Sequence, residues 1–185
     1  NISFVLIKSN GAGSSAPIGS YDIVPASAHG VGSLNYTFTY INGTLNVIKK
    51  DITADIFPPA NLSYNAQAKT FTATTSDSNL QLHSHYVIRY FNADNSYNST
   101  TAPSNAGEYT AAFELTNAGA LNYELTYAPT KTFVITKANI TIKANDAIKT
   151  YGDNWVLSND AFEANLKPLY GSDMISSVEF MCAGL

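Results

Sequence analysis

One line of this sequence is written twice. "LNYTFTYINGTLNVIKK" runs from Leu34 to Lys50 and "LNYELTYAPTKTFVITK" from Leu121 to Lys137, so the two copies begin and end 87 positions apart. The match continues outward. "APIGSY" from Ala16 returns as "APSNAGEY" from Ala102, "KKDITAD" from Lys49 returns as "TKANITIKAND" from Thr136, and Tyr64-Asn65 returns as Tyr151-Gly152. Self-similarity at a fixed period means one structural unit used in series, each copy in contact mainly with its neighbours. The period is that of one small β domain, which restricts the chain to folds that can be strung end to end.

Inside each copy the apolar residues alternate. "ISFVLIK", "YTFTYI", "KTFTATT", "HYVIRYF", "GEYTAAFEL", "NYELTY", "KTFVIT" and "ITIKA" are rich in Val, Ile, Thr, Tyr and Phe and are separated by Gly, Asn, Pro and Ser. That is the pattern of short, half-buried strands. In "GEYTAAFEL" the side chains of Tyr109, Ala111, Phe113 and Leu115 share one face, opposite Glu108, Thr110, Ala112 and Glu114. Asn42-Gly43, between "TFTYI" and "TLNVI", predicts a two-residue hairpin, because both central positions of a type I′ turn need positive φ. Pro129 in the second copy predicts a different loop there. Ser158 or Asn159 could cap a short helix over 158–167 carrying Phe162 and Leu166, with Pro168 limiting its length. The fold class expected is all-β, in Ig-like β-sandwich repeats with that one short helix. The alternative is a set of β-grasp-like α+β units using the same segment as their helix.

Composition excludes several functions. The formal net charge is −4, and the ten Lys and Arg are scattered. Phosphate contacts need clustered cations, so no nucleic-acid partner is expected. One cysteine, Cys182, can make neither an internal disulfide nor a thiol-rich metal site, and reads as a small apolar residue. No run reaches the length of a membrane span, so no membrane insertion by this segment is expected, and Asn1 opens in a strand-like run as if the piece were cut from something longer.

Candidate sites are few. His83 and His85 share a strand face without a third ligand, and Asp94 among several Asn lacks the ordered acidic spacing of a calcium loop. Neither a nucleophile elbow nor a pair of carboxylates placed for acid-base chemistry is visible, so no enzyme, cofactor or metal site is expected. Tyr86, Tyr90 and Tyr97, in or beside one strand, are the candidate ligand contacts, because exposed tyrosines serve both sugar and protein recognition. Set against that is the plain reading that alternate tyrosines are core.

The ordered set formed by Tyr64-Asn65, Ala102-Pro103, Gly107-Glu108-Tyr109, Asn122-Tyr123 and the closing "FVITK", echoed by Asn42-Gly43 and by Tyr151-Gly152, resembles the mostly-bacterial immunoglobulin-like (MBG) repeat domains. That resemblance implies an extracellular all-β module on the bacterial cell surface, strung in arrays on secreted or wall-anchored adhesins. It implies no catalytic residue. Its implied partners are neighbouring repeats of the same protein, and host glycans or glycoproteins. In this frame residues 1–50 are the closing part of one repeat, 51–137 a complete central repeat and 138–185 the opening part of a third; two units, 1–95 and 96–185, are the alternative. Half-repeats expose apolar edges, so head-to-tail self-association of the ends is a third expectation.

Overall fold

The computed structural model describes residues 4–154, 162–164 and 169–175. Its strands are β1 (Phe4–Lys8), β2 (Gly19–His29), β3 (Gly43–Val47), β4 (Lys50–Ile52), β5 (Ala54–Phe57), β6 (Thr72–Thr75), β7 (Tyr86–Phe91), β8 (Asn98–Ser99), β9 (Gly107–Leu115), β10 (Tyr123–Leu125), β11 (Thr130–Ile135), β12 (Ile142–Ala144) and β13 (Phe162–Ala164). Helix is confined to α1 (Asn117–Asn122) and a single 3-10 turn at Ser33–Asn35 among the described residues. The fold is all-β. Three strands pair in the order β1-β2-β3 and four in the order β11-β9-β7-β8, while β10-β4, β5-β6 and β12-β13 form two-stranded sheets. Among the described residues no helix is long and apolar enough to cross a membrane.

The chain divides into two compact units, each assembled from three stretches. The first takes Asn1–Phe57, Ala73–Arg89 and Ala112–Thr130; the second takes Pro58–Thr72, Tyr90–Ala111 and Lys131–Leu185. Both draw on β7, which buries alternate residues, and on β9, where the expected alternation gives way to Ala111, Ala112 and Phe113 buried in succession because the strand serves both cores. In the first unit Ile52, Ile56, Leu80, Tyr86, Ile88, Ala112 and Phe113 are buried, and the Tyr86 and Phe113 rings stack with centroids 4.6 Å apart. In the second, Phe71, Tyr90, Tyr109, Ala111, Phe133 and Ile135 are buried, with Phe133 against the rings of Phe71, Tyr90 and Tyr109. On the outer side of the first unit, the Arg89 guanidinium meets the Glu114 carboxylate at 2.8 Å. Both are half-exposed, so that pair adds at most about 1 kcal/mol.

The internal repeat is visible in the element order. β3 and β11 begin 87 positions apart, the Ser33–Asn35 turn and α1 end 87 apart, β2 and β9 begin 88 apart, and β5 and β12 begin 88 apart. Sheet order repeats too: β1-β2-β3 in one copy corresponds to β7-β9-β11 in the next, and β5-β6 to β12-β13.

Several local expectations are corrected. Asn42-Gly43 is not a hairpin turn: residues 36–42 belong to no strand, neither residue has positive φ, and Gly43 opens β3, which pairs antiparallel with β2 from Ile23↔Gly43 to Gly19↔Val47. The eleven-residue β2 competes successfully for the ladder that the turn signal assigned to "TFTYI". Of the segment 158–167, residues 162–164 are described and are strand, paired antiparallel with β12; the remainder, like Cys182, lies outside the described residues. The α-helix that does form, α1, is capped by Thr116, whose Oγ1 accepts from Gly119 N and donates to Ser84 O.

One ion pair in the first unit has a testable pH dependence. Lys50 Nζ lies 2.7 Å from Asp77 Oδ2, and Asn79 N donates to Asp77 Oδ1. The hydrogen bond from Lys50, followed by that from the Asn79 backbone, holds the Asp77 carboxyl below its usual range. A carboxyl depressed in the folded state contributes stability that is present above its unfolded pKa, near about 3.9, and is lost as pH falls through the folded value. Between about pH 5 and pH 2 the wild-type melting temperature should therefore fall more steeply than that of Asp77→Asn. Parallel curves would remove Asp77 from the acid response.

Candidate functional site

The three tyrosines proposed as ligand contacts do not form an exposed face. Tyr86 and Tyr90 point into the cores, Tyr90 at only 2% exposure with its hydroxyl accepting from Phe71 N at 2.9 Å. Burial pushes the Tyr90 phenol up. Tyr97 is half-buried, edge-on to Tyr109 at 5.5 Å, and donates to Thr101 O at 2.6 Å. The core reading of alternate tyrosines therefore holds for Tyr86 and Tyr90, and no aromatic platform is presented by this group. The neighbouring loop is closed by its own side chains: Asn92 Oδ1 accepts from Tyr97 N, and Asp94 Oδ1 accepts from Ser96 N. Among the described residues no three of His, Cys, Asp and Glu are grouped to hold a metal. His85 Nδ1 instead accepts from Gln81 N, and His83 takes φ 67 in the turn before β7.

The repeat-motif residues are spread over both units, several of them at turns and strand ends. Tyr109 donates to Asn105 O at 3.2 Å and Tyr21 to Pro17 O at 2.7 Å, in each case four residues upstream. Gly107 permits this fold-back, since a Cβ there would lie 3.3 Å from the Tyr109 ring. Tyr64 N donates to Thr136 O, which ties the start of one copy to the end of β11. Tyr151 and Gly152 are the centre of a turn closed by Asp153 N to Thr150 O, with Gly152 at φ 91, a backbone region that favours glycine. Tyr151 is fully exposed.

Two clefts sit at equivalent points of the repeat, each where β3 or β11 hands over to the next copy. In the first unit, a cleft of about 380 Å³ is lined by the loop 14–18, Val47, Ile48 and Lys50 on one side and by Asn122 and Tyr123 on the other. Tyr123 opens β10, which runs parallel to β4 in the register Tyr123↔Lys50, Glu124↔Asp51 and Leu125↔Ile52. Thr126 N and Oγ1 both donate to Ile52 O at 3.1 Å, which fixes that register. In the second unit, a larger cleft of about 520 Å³ is lined by Asn105, Ala106 and residues 137–140, with Ser63, Tyr64, Leu169, Tyr170 and Asp173. Tyr64 Oη donates to Asp173 Oδ2 at 2.6 Å, its ring meets Tyr170 edge-on at 6.1 Å, and the contact with Asp173 raises the Tyr64 phenol pKa. The lining is mixed, with two aromatic rings, a carboxylate, amides and the Lys137 side chain. Sequence alone missed this cleft because Tyr64 and Asp173 are 109 positions apart.

Comparison of the chain with protein-family models, with curated proteins and with solved structures finds no match in any of the three.

Proposed function

We propose that this chain is a non-catalytic repeat module of an extracellular bacterial surface adhesin, acting as a stalk and display unit in an array of Ig-like β-sandwich domains. The observation that carries the reading is the joint at Lys50. There the closing strand of one copy leads directly into β4, and the next copy's "LNY" line returns to pair beside it in parallel. Successive copies linked in this way have only two residues between β3 and β4, a short connection that suits a stiff series of units. Two further observations support an Ig-like unit: the repeated sheet order and the backward hydrogen bond of Tyr21 and Tyr109, which is like the tyrosine corner of Ig sandwiches. The sequence motifs, which resemble MBG repeats, supply the surface location.

Small-angle scattering of covalent tandem fusions of the chain tests the stalk. A radius of gyration that rises in proportion to copy number is expected; a value that follows a compact globule as copies are added sinks the proposal. A second reading, a carbohydrate-binding module, is favoured by the cleft holding Tyr64, Tyr170, Asp173 and Asn105, because aromatic rings with amide and carboxylate groups suit a saccharide. Retention on a glycan panel that disappears in Tyr170→Ala, with folding intact, would support it over a purely architectural role.

A further inference from the structure

The chain carries Asn-X-Ser/Thr triplets at Asn1, Asn35, Asn42, Asn61, Asn98 and Asn139, and two of them, Asn61-Leu62-Ser63 and Asn98-Ser99-Thr100, fall inside the central copy. The structure presents these two differently. Pro58, Ala60 and Asn61 are exposed, and residues 58–62 belong to no strand. Pro58 and Pro59 have no N–H to give to a ladder, and the proline rings favour an extended backbone here. Asn61 Oδ1 accepts from Ser63 N at 2.8 Å, the turn that an Asn side chain makes with the amide two residues on. The carbonyl oxygen of the side-chain amide is thereby engaged, while its nitrogen, Nδ2, makes no hydrogen bond to a described residue. Ser63, which completes the triplet, is exposed and anchored: its Oγ accepts from Thr136 Oγ1 at 3.3 Å, and bonds from Thr136 N to Leu62 O and from Tyr64 N to Thr136 O hold both its neighbours. Asn98 is exposed as well, but it lies in β8, in register with Phe91 of β7, so its backbone is committed to a ladder.

We propose that Asn61 is an acceptor site for N-linked glycosylation, taking a hexose from a nucleotide-activated sugar. The triplet is the unit that such transfer recognises, and its use demands a surface segment. In the step, a bond forms between Asn61 Nδ2 and the anomeric carbon of the sugar. The bond from that carbon to the nucleoside diphosphate breaks, its electron pair leaves on the diphosphate, and Nδ2 gives up one proton to the transferring enzyme or to water. Neither oxidant nor reductant is involved. An amide nitrogen is a weak nucleophile, because its lone pair is delocalised into the carbonyl, so the enzyme must hold the side chain and backbone of the triplet together. That demand separates the two candidates: residues 58–62 can enter an enzyme cleft without breaking a sheet, whereas Asn98 enters only if β8 leaves β7. Because Asn61 is exposed, a bulky, hydrated group on it displaces no core packing. The proposal goes beyond the repeat-module reading and fails separately from it, since the scattering of tandem fusions is read on unmodified chains.

The experiment incubates the full, folded chain with UDP-glucose and a soluble N-glycosyltransferase that reads Asn-X-Ser/Thr, and locates the hexose by peptide mass spectrometry. Asn61 is expected to gain one hexose, and to gain it faster than Asn98. Asn95, exposed but followed two residues on by Tyr97, should gain none. Ser63→Ala should abolish the transfer at Asn61, and Ser63→Thr should restore it. Circular dichroism of each variant verifies folding. Should Ser63→Ala lose its fold with the Thr136 contact, Asn61→Gln, at an exposed position, takes its place and should remove the hexose from that peptide. An Asn61 that stays unmodified in the folded chain, while the same enzyme modifies a synthetic peptide of residues 58–66, overturns the proposal. So does a hexose at Asn61 that persists in folded Ser63→Ala.

Discussion

Phe113→Ala should remove about 3–5 kcal/mol of stability. Phe113 is 1% exposed and lies in the middle of β9, where the pleat directs it into the first unit's core. Its ring stacks on Tyr86 at 4.6 Å with an interplanar angle of 20°. Truncation to alanine removes the transfer energy of a whole ring and leaves a cavity that two neighbouring strands, held in one ladder, cannot collapse to fill. Phe113→Leu retains most of the volume and should cost no more than about 1.5 kcal/mol. Urea denaturation of the two variants measures both. If they lose similar amounts, the ring contact with Tyr86 outweighs volume; if alanine costs under about 1 kcal/mol, Phe113 is not a centre of the core.

Gly119→Ala should also destabilise, against the direction that helix propensity alone would give. Alanine is favoured over glycine inside a helix by about 1 kcal/mol. In α1 that preference loses to geometry, because a Cβ on Gly119 would sit 2.0 Å from the backbone carbonyl oxygen of His85. The neighbour is main chain rather than a side-chain end that can swing aside. That same oxygen accepts from Thr116 N, and Thr116 Oγ1 donates to Ser84 O, so moving α1 away breaks the contacts that anchor its first turn. A net loss of about 1–3 kcal/mol is expected from the overpacking. Ala118→Gly, at an exposed position of the same helix, provides the comparison and should cost only the propensity difference. Thermal melts of both variants decide it. An alanine at 119 that stabilises the protein would mean that α1 is free to shift.

The sequence by itself determined the all-β class, the inward face formed by Tyr109, Ala111 and Phe113 of β9, and the period of about 87 residues. Each is a local pattern: Tyr109, Ala111 and Phe113 alternate because the strand pleat has period two, and the repeat can be read by alignment of the chain with itself. What the tertiary structure alone decided is long-range. Asn42-Gly43 carries a strong hairpin signal, but β3 finds a longer partner in β2, and the turn never forms. Tyr86 and Tyr90 look the same on paper as surface tyrosines, and only the packing of β7 within its sheet turns them inward. The pairing of β10 with β4 joins residues more than 70 positions apart in parallel, which no turn signal announces. Local rules govern which residues can form a strand; which strand each one finds depends on competition between distant segments for the same ladder and the same core, and that competition is settled only when the whole chain is packed.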